Sequence, residues 1–240
     1  MKKIKLLLCL LIPFFGISQN QTITNASRYF PKVDKVLEFE KALITHVQKF
    51  HSGEWKWRVF EIQTGPDAGG YHVVEGPKSW DQFDKRGDLG SEHMMDWNNN
   101  VAIHLTQKYS SSYSEYKTDL STVPLENYSD KISITHIFPK PGSGNIVEES
   151  LIKVKKGWAA GNQTVAVYQS IASGPSQYTL VYRMKDGLKE MQEGYRKPFK
   201  ERYEGANGAG SYEKFLEKIR EASEHSWSEI LIMRAELGSK

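Results

Sequence analysis

The tripeptide Phe30-Pro31-Lys32 occurs again as Phe138-Pro139-Lys140, 108 residues further along a chain of 240 residues. Three more pairs of short motifs follow in the same order. They are Gly65-Pro66 with Gly174-Pro175, Tyr71 with Tyr178, and Ser112-Tyr113-Ser114-Glu115 with Ser226-Trp227-Ser228-Glu229, at offsets of 109, 107 and 114 residues. Four matches in one order, with offsets that drift slowly, indicate an internal repeat. The sequence therefore predicts two copies of one unit, fused in tandem.

Each predicted unit begins with a strand that runs into the Phe-Pro-Lys motif, around residues 24–30 and 131–138. Proline cannot donate to the hydrogen bonds of a sheet, so it ends the strand, and a helix is expected next. Apolar residues then recur at helical spacing in both copies, which predicts one-sided helices. The two apolar stripes are Val36, Phe39, Leu43, Val47 and Phe50, and Val147, Leu151, Val154 and Trp158.

The Gly-Pro motif of each unit lies between two further expected strands, which together predict a hairpin. These strands are residues 55–63 and 71–75 in the first unit, and 164–172 and 178–184 in the second.

A second helical region is expected after each hairpin, and glycine or proline interrupts it in both units. In the first unit the region breaks at residues 87–90 and resumes with a helical face that ends at Leu105. In the second unit it is broken at Pro198 and at residues 205–210. A last strand is expected near residues 112–118 and 227–236, and residues 121–130 link the units.

The resulting order, βαββαβ, describes a ferredoxin-like unit with both helices on one face of a four-stranded antiparallel sheet. The other sheet face is partly apolar and must be covered. Two units can cover each other by packing sheet to sheet. The expected fold class is therefore α+β, with tandem duplicated ferredoxin-like units that form a pseudo-dimeric α/β barrel. The expected units are residues 19–127 and 128–240, preceded by a signal peptide at residues 1–18.

The expected signal peptide has a lysine-rich start, an apolar run at residues 6–15 and small residues before the predicted cleavage point between Ser18 and Gln19. The apolar run is too short for a stable membrane anchor. Cys9 lies inside this run, which does not fit a lipid-attachment cysteine. The sequence thus predicts a bacterial-type exported protein, periplasmic or secreted.

Removal of residues 1–18 changes the charge balance. The full chain has 32 basic and 29 acidic side chains, and the first 18 residues contain three lysines and no acidic residue. The remaining chain has no net basic charge that would favour nucleic acid as a partner. It also has no cysteine, because Cys9 is the only one. Disulfides, cysteine-ligated zinc and thiol nucleophiles are excluded after cleavage.

Common catalytic motifs are absent from the sequence, including Gly-x-Ser-x-Gly and His-Glu-x-x-His. His46 and His51 are five residues apart, which would direct them to different sides of a helix. His93 and Asp96 are three apart and could share a metal ion. The same residues are equally well explained as solvent-exposed polar side chains next to a packed Trp97. No metal ligand is therefore assigned.

The strand, Pro-Lys and helix at the start of each unit, with Lys140-Pro141-Gly142 in the second, resemble the openings of NIPSNAP-like and stress-responsive members of the dimeric α/β-barrel superfamily. The resemblance covers about residues 22–240 and rests on the fold plan and short tripeptides. Members of this superfamily include cofactor-free monooxygenases and haem proteins of the chlorite-dismutase type. The resemblance implies a barrel with a cavity, with no cofactor as the first expectation and haem as the alternative.

Alignment of the two copies suggests residues that could bind a ligand. Arg28 aligns with His136, and a histidine near a carboxylate is suited to general acid–base chemistry. If the strand faces point inward, the aligned pairs form a polar cluster beside aromatic side chains. The candidate residues are Arg28, His136, Glu75, Tyr182, Glu115, Glu229, Trp57 and Tyr168. Alternatively the glutamates are solvated or ion-paired, and a shift of one residue would turn each side chain to the other face.

Three functions remain open from the sequence. The first is an exported barrel that binds a small apolar or aromatic molecule, with cofactor-free oxygenase chemistry as an extension. The second is a non-catalytic binding or structural protein with a filled barrel, and the third is a haem-binding barrel. In each case the expected partner is at most a small molecule, and the chain is a pseudo-dimeric monomer or a homo-oligomer. Whether it is an enzyme stays open.

Overall fold

The structure is a computed structural model that describes residues 21–240. The expected signal peptide and its cleavage point lie outside these residues. Within the described part, no helix has both the length and the apolar character needed to cross a membrane.

The first unit has the predicted order of elements, and its second helical region is split in two. Its elements are β1 (Ile23–Pro31), α1 (Val36–Phe50), β2 (Trp57–Ile62), β3 (Tyr71–Lys78), α2 (Trp80–Arg86), α3 (Gly90–Asp96) and β4 (Leu105–Tyr116).

The second unit repeats this order, again with a split second helical region. Its elements are β5 (Lys131–Pro139), α4 (Gly144–Ala159), β6 (Val165–Ile171), β7 (Tyr178–Arg183), α5 (Phe199–Asn207), α6 (Ser211–Ala222) and β8 (Ser223–Met233).

The eight strands form one closed barrel in the order β1-β3-β2-β8-β5-β7-β6-β4. All neighbouring strands are antiparallel. Each unit supplies four consecutive strands, and the units join where β2 pairs with β8 and β4 pairs with β6. The predicted α+β pseudo-dimeric barrel is confirmed. Its two sheets face each other, and their edges are also hydrogen-bonded, so neither sheet keeps a free edge.

The helices pack on the outside of the barrel and cover an apolar core in each unit. Side chains alternate along a strand, so each strand contributes to one of these outer cores and to the barrel interior. The first core includes Phe39, Leu43, Val47, Val59, Tyr71 and Val73. The second includes Val147, Leu151, Val154, Trp158, Leu180 and Tyr203. The apolar stripes expected on the first helix of each unit are thus the faces buried against the sheets.

Several element boundaries differ from the sequence expectation, including the start of β8 at Ser223 rather than near residue 227. Leu105, expected on a helical face, is the first residue of β4, which extends far enough to pair with β1 from Ile23 to Pro31. α5 continues through Gly205 to Asn207, into the loop expected at residues 205–210. The helix ends at Gly208, whose φ of 100° favours glycine.

The linker at residues 121–130 packs against one end of the barrel. Val123 and Leu125 are buried in a cluster with Tyr116. The guanidinium of Arg183 donates to the carbonyl oxygens of Pro124 at 2.8 Å and Leu125 at 3.0 Å. This contact fixes the linker at the barrel end that contains Arg183.

Candidate functional site

The barrel interior contains a cavity of about 480 Å³. β4 contributes only serines to its lining, which are Ser110, Ser111, Ser112 and Ser114. The apolar wall consists of Ala26, Phe60, Val74, Ile132, Ile134 and Val181. Small side chains on β4 and at Ala26 leave unfilled the space that larger residues would occupy.

One end of the cavity holds a buried cluster of Arg28, His136 and Glu229, whose side chains are 10%, 7% and 0% exposed. His136 Nε2 lies 2.9 Å from Glu229 Oε1. Arg28 binds both carboxylate oxygens of Glu229, with NH1 at 3.1 Å from Oε2. Arg28 comes from the first unit and the other two from the second, so the cluster joins the two copies. A buried carboxylate needs such partners to remain ionised.

Asp67 extends this cluster towards the surface. Its carboxylate is 2.6 Å from Arg28 NH1 and 2.6 Å from Lys108 Nζ. Burial acts to raise the pKa of Asp67, but the hydrogen bonds and charges of Lys108 and Arg28 outweigh it and hold the pKa below its usual value. Gly65 allows the β2–β3 loop, which contains Asp67, to cross Glu229 closely: a Cβ at this glycine would lie 3.1 Å from the Glu229 Cβ.

His136 is held in one orientation by three neighbours. Its ring stacks on Trp227 with centroids 4.0 Å apart. The side-chain amide of Gln177 contacts Nδ1, and Glu229 contacts Nε2. In the neutral tautomer that these partners favour, Nε2–H donates to Glu229 and Nδ1 accepts from Gln177. Glu229 would stabilise an imidazolium, so Nδ1 is the nitrogen suited to accept a proton.

The opposite end of the cavity is basic. The guanidinium carbons of Arg58 and Arg183 lie 4.1 and 5.3 Å from the ring centroid of Tyr128. Their hydrogen-bond partners in the described chain are backbone carbonyls and the hydroxyl of Tyr168, at 3.2 Å from Arg183. Burial raises the pKa of Tyr168, so the hydroxyl keeps its proton. This end therefore offers positive charge without a neighbouring carboxylate.

The structure brings four of the predicted residues to the barrel interior and places four elsewhere. Tyr168 lines the cavity with Arg28 and His136, and Glu229 completes the cluster. The four outside the interior are Glu75, Tyr182, Trp57 and Glu115. The prediction that these four residues line the same cavity as Arg28 and His136 is therefore corrected.

The register of the strands explains the position of Glu115. Arg28 and His136 occupy equivalent positions in the two units. β1 pairs Arg28 with Ser110, and β5 pairs His136 with Trp227. Ser110 is therefore equivalent to Trp227, and Ser112 rather than Glu115 occupies the position of Glu229. The repeated Ser-aromatic-Ser-Glu motif is displaced by an odd number of residues, which turns the side chain to the other face.

Glu75 and Tyr182 are equivalent as predicted, but both face the outer helices. Trp57 Nε1 donates to Glu75 Oε2 at 2.8 Å, and Arg86 forms an ion pair with the same carboxylate. Tyr182 packs edge-on against Trp158, and burial raises its pKa to about 12. They belong to the cores under the helices.

Several residues of the cavity were missed by the sequence alignment of the copies. Arg58 and Arg183 point inward because they alternate with outward-facing neighbours on β2 and β7. This alternation of side chains along each strand could have been read from the sequence. Asp67 and Gln177 belong to loops or to a strand start, where no periodicity reveals orientation.

Comparison with known proteins identifies the fold. No protein-family model matches the sequence, and no curated protein matches it either. Solved structures do match. An anthrone oxidase-like protein superposes with a TM-score of 0.56 at 13% identity, covering 89% of this chain and 92% of that one. This match shows a shared fold.

Two further structures extend this barrel comparison. A candidate monooxygenase from Fusobacterium nucleatum has a TM-score of 0.52 at 14% identity, covering 88% of this chain and 91% of that one. Chlorite dismutase from Candidatus Nitrospira defluvii, in complex with imidazole, has a TM-score of 0.50 at 9% identity, covering 90% and 94%. At identities this low, the matches show a shared barrel architecture and nothing more. This is the architecture that the sequence repeat predicted.

The two aligned glutamates should respond very differently to the same substitution. Glu229→Gln removes the charge that holds Arg28 and His136 in a buried site, and we expect it to lower the free energy of unfolding by about 3–5 kcal/mol. Glu115→Gln lies outside the cluster and should change it by less than about 0.5 kcal/mol. Urea denaturation followed by circular dichroism measures both values. Equal effects would contradict the interior placement of Glu229.

Proposed function

We propose that the protein is exported and binds one small aromatic or apolar molecule with an acidic group inside its barrel. The observation that carries this proposal is the cavity of about 480 Å³, whose apolar wall joins the basic end to the Arg28–His136–Glu229 cluster. Such a volume lies within the range of about 300–1,000 Å³ that is typical of small-molecule sites. The filled barrel is disfavoured on this ground. Export is proposed from the N-terminal sequence.

The basic end determines how the ligand is oriented. Arg58 and Arg183 can donate several N–H groups to a carboxylate, a sulfonate or a phenolate, and planar guanidinium groups suit such anions. Placing the anion there puts the body of the ligand against Phe60, Ile134 and Val181. The far end of the ligand then reaches His136.

Haem is the less supported occupant, because the histidine of the buried cluster has no free ring nitrogen. It would require an imidazole nitrogen that is free to bind iron. Both ring nitrogens of His136 have hydrogen-bond partners. His72 also lines the cavity, and its Nδ1 is buried without a hydrogen-bond partner in the part of the chain that the structure describes. Burial, together with the charges of Arg28 and His136, lowers the pKa of His72 well below its usual value. We therefore derive no step through haem.

We further propose that a phenolic ligand would lose a proton to His136. Oxidation without a cofactor requires an electron-rich substrate anion, because the substrate itself must reduce O₂. Nδ1 of His136 is the acceptor, once the ligand displaces the Gln177 amide, and Glu229 stabilises the resulting imidazolium. For an anthrone, one O₂ would replace two hydrogens by one oxygen and yield a quinone and one water.

A pair of fluorescent probes tests binding and orientation. 8-Anilinonaphthalene-1-sulfonate carries an anionic group, and N-phenyl-1-naphthylamine has the same aromatic body without it. We expect one molecule of either probe per chain. Arg58→Met should weaken binding of the sulfonate about tenfold, equivalent to about 1.4 kcal/mol, and leave the neutral probe unchanged. Lys56→Met, which removes an exposed charge on the same stretch of chain, is the matched control.

Filling the cavity provides the second arm of this test. Ser112→Phe adds a ring to the space beside β4 and should abolish binding of both probes, while a cooperative thermal transition verifies that the variant is folded. Probe binding that survives Ser112→Phe would place the site outside the barrel. A Soret band after addition of haem, abolished by Ser112→Phe, would instead support the haem alternative.

Oxygen uptake tests the chemical extension separately. With anthrone and O₂, wild-type protein should consume oxygen faster than buffer, and His136→Gln should reduce this rate at least about 100-fold, as expected for a lost general base. The uptake should remain in Glu115→Gln. Wild-type protein that binds the naphthalene probes but consumes no oxygen would refute the oxidation and leave the binding proposal standing.

A further inference from the structure

Outside the barrel, three histidines of the first unit converge at one point. His46 lies on α1, His51 follows the last residue of α1, and His93 lies on α3. One ring nitrogen from each lies within 4.8 Å of the others. The side chains of His46 and His51 are 0% and 2% exposed.

The convergence of His46 and His51 differs from the sequence expectation. Five residues on a continuous helix would separate the two side chains. α1, however, ends at Phe50, and the backbone of His51 has φ −120° and ψ 61°, which is not helical. The His51 ring therefore turns back under the helix, where it stacks on Trp57 with centroids 3.6 Å apart.

His46 has a ring nitrogen with a free lone pair at the place where the three rings converge. Its Nδ1 lies 2.7 Å from Asp96 Oδ2, so Nδ1–H donates to the carboxylate and Nε2 carries the lone pair. Nε2 is buried and has no hydrogen-bond partner in the part of the chain that the structure describes. A buried acceptor without a partner is unfavourable. The spacing of His93 and Asp96 left a shared metal ion open, without assigning one. Asp96 lies instead behind His46, in the position of a carboxylate that orients a ligand histidine.

The separation between the other two rings also fits a metal ion. His51 Nε2 and His93 Nε2 are 3.3 Å apart. Two nitrogen ligands of a tetrahedral ion, each about 2.0–2.1 Å from the metal, are separated by roughly 3.3–3.4 Å. His51 Nδ1 lies 3.4 Å from Arg86 Nη2, which can donate to it in the metal-free protein, and 3.7 Å from Glu75 Oε2, which is beyond hydrogen-bond distance. Metal binding at Nε2 would place the proton on Nδ1, and the ring would have to move slightly towards Glu75 to donate it.

The protonation states suit metal binding. Burial lowers the pKa of His46, of His93 and of His51, the last to about 4. All three imidazoles are therefore neutral near pH 7, and a neutral imidazole is the form that binds metals. Asp96 and Glu75 supply two negative charges behind the rings, against the single positive charge of Arg86.

The site also has an open side. His51 and His93 line a cleft of about 300 Å³ together with Trp57, Glu75 and Arg86. Structural zinc sites have four protein ligands, whereas catalytic ones have three and leave a position for water or substrate. We infer that His46, His51 and His93 form a binding site for a divalent transition-metal ion, Zn²⁺ in the first instance, with its fourth position open to this cleft.

The site belongs to the first unit alone. Both histidines in the second half of the chain, His136 and His225, lie on strands, and its three helices contain none. The metal site is also separate from the barrel cavity, because Glu75 and Trp57 face outward. It is independent of the proposed function.

Metal titration of the purified protein, without an added histidine tag and after removal of metal with a chelator, tests this inference. Calorimetry with Zn²⁺ should give one site per chain, and Co²⁺ should give the intense visible bands of a four-coordinate complex. His93→Gln, a partly exposed position, should weaken Zn²⁺ binding at least about 100-fold. Asp96→Asn should weaken it about 10–100-fold, as is typical when a carboxylate hydrogen-bonded to a ligand histidine is lost.

His104→Gln is the matched control, since this histidine lies in the same unit outside the cluster, and its affinity should equal that of wild type. Zn²⁺ should also raise the thermal midpoint of wild type and of His104→Gln, but not of His93→Gln. Absence of saturable Zn²⁺ binding to folded wild-type protein would overturn the inference and leave water as the partner of His46 Nε2. Equal affinity in His93→Gln and His104→Gln would overturn it as well.

Discussion

Closure of the two four-stranded sheets through their edges is the constraint on which the rest of the structure depends. Each ferredoxin-like sheet on its own would expose one face and two edges to water. Pairing of β2 with β8 and of β4 with β6 satisfies both edges and encloses both faces. An eight-stranded barrel is just wide enough to be filled by side chains or to hold one small ligand. The serines of β4 and Ala26 leave a cavity of about 480 Å³ unfilled.

Fusion of the two copies allows the equivalent positions to differ. In a dimer of identical chains, the residues at Arg28 and His136 would have to be the same. Here a guanidinium and an imidazole occupy the two positions, and both bind the single carboxylate of Glu229. The same freedom allows three histidines under the helices of the first unit, where the second unit has an apolar core. The two fused units thus form a symmetric scaffold in which equivalent positions carry different side chains.

The fold could be predicted because its signals are local and repeated. Proline after each first strand, one-sided helices and Gly-Pro turns occur twice, and the order βαββαβ leaves few architectures. The site was harder, because its composition depends on which face each strand turns inward. Arg28, His136 and Glu229 were identified, but Glu115 was placed beside them through a motif displaced by an odd number of residues. His51 and His93 meet only because α1 ends one residue before His51 and α3 folds back over it, which sequence spacing does not encode.

The central claim is that the barrel interior is a binding site whose two ends differ in charge. A crystal structure of the protein with 2-naphthoate, a rigid aromatic carboxylate, tests it most directly. The account predicts density for one naphthalene ring between Phe60, Ile134 and Val181, with the carboxylate bound to Arg58 or Arg183. A barrel that contains only ordered water at saturating naphthoate, or interior side chains that fill the cavity, would contradict it.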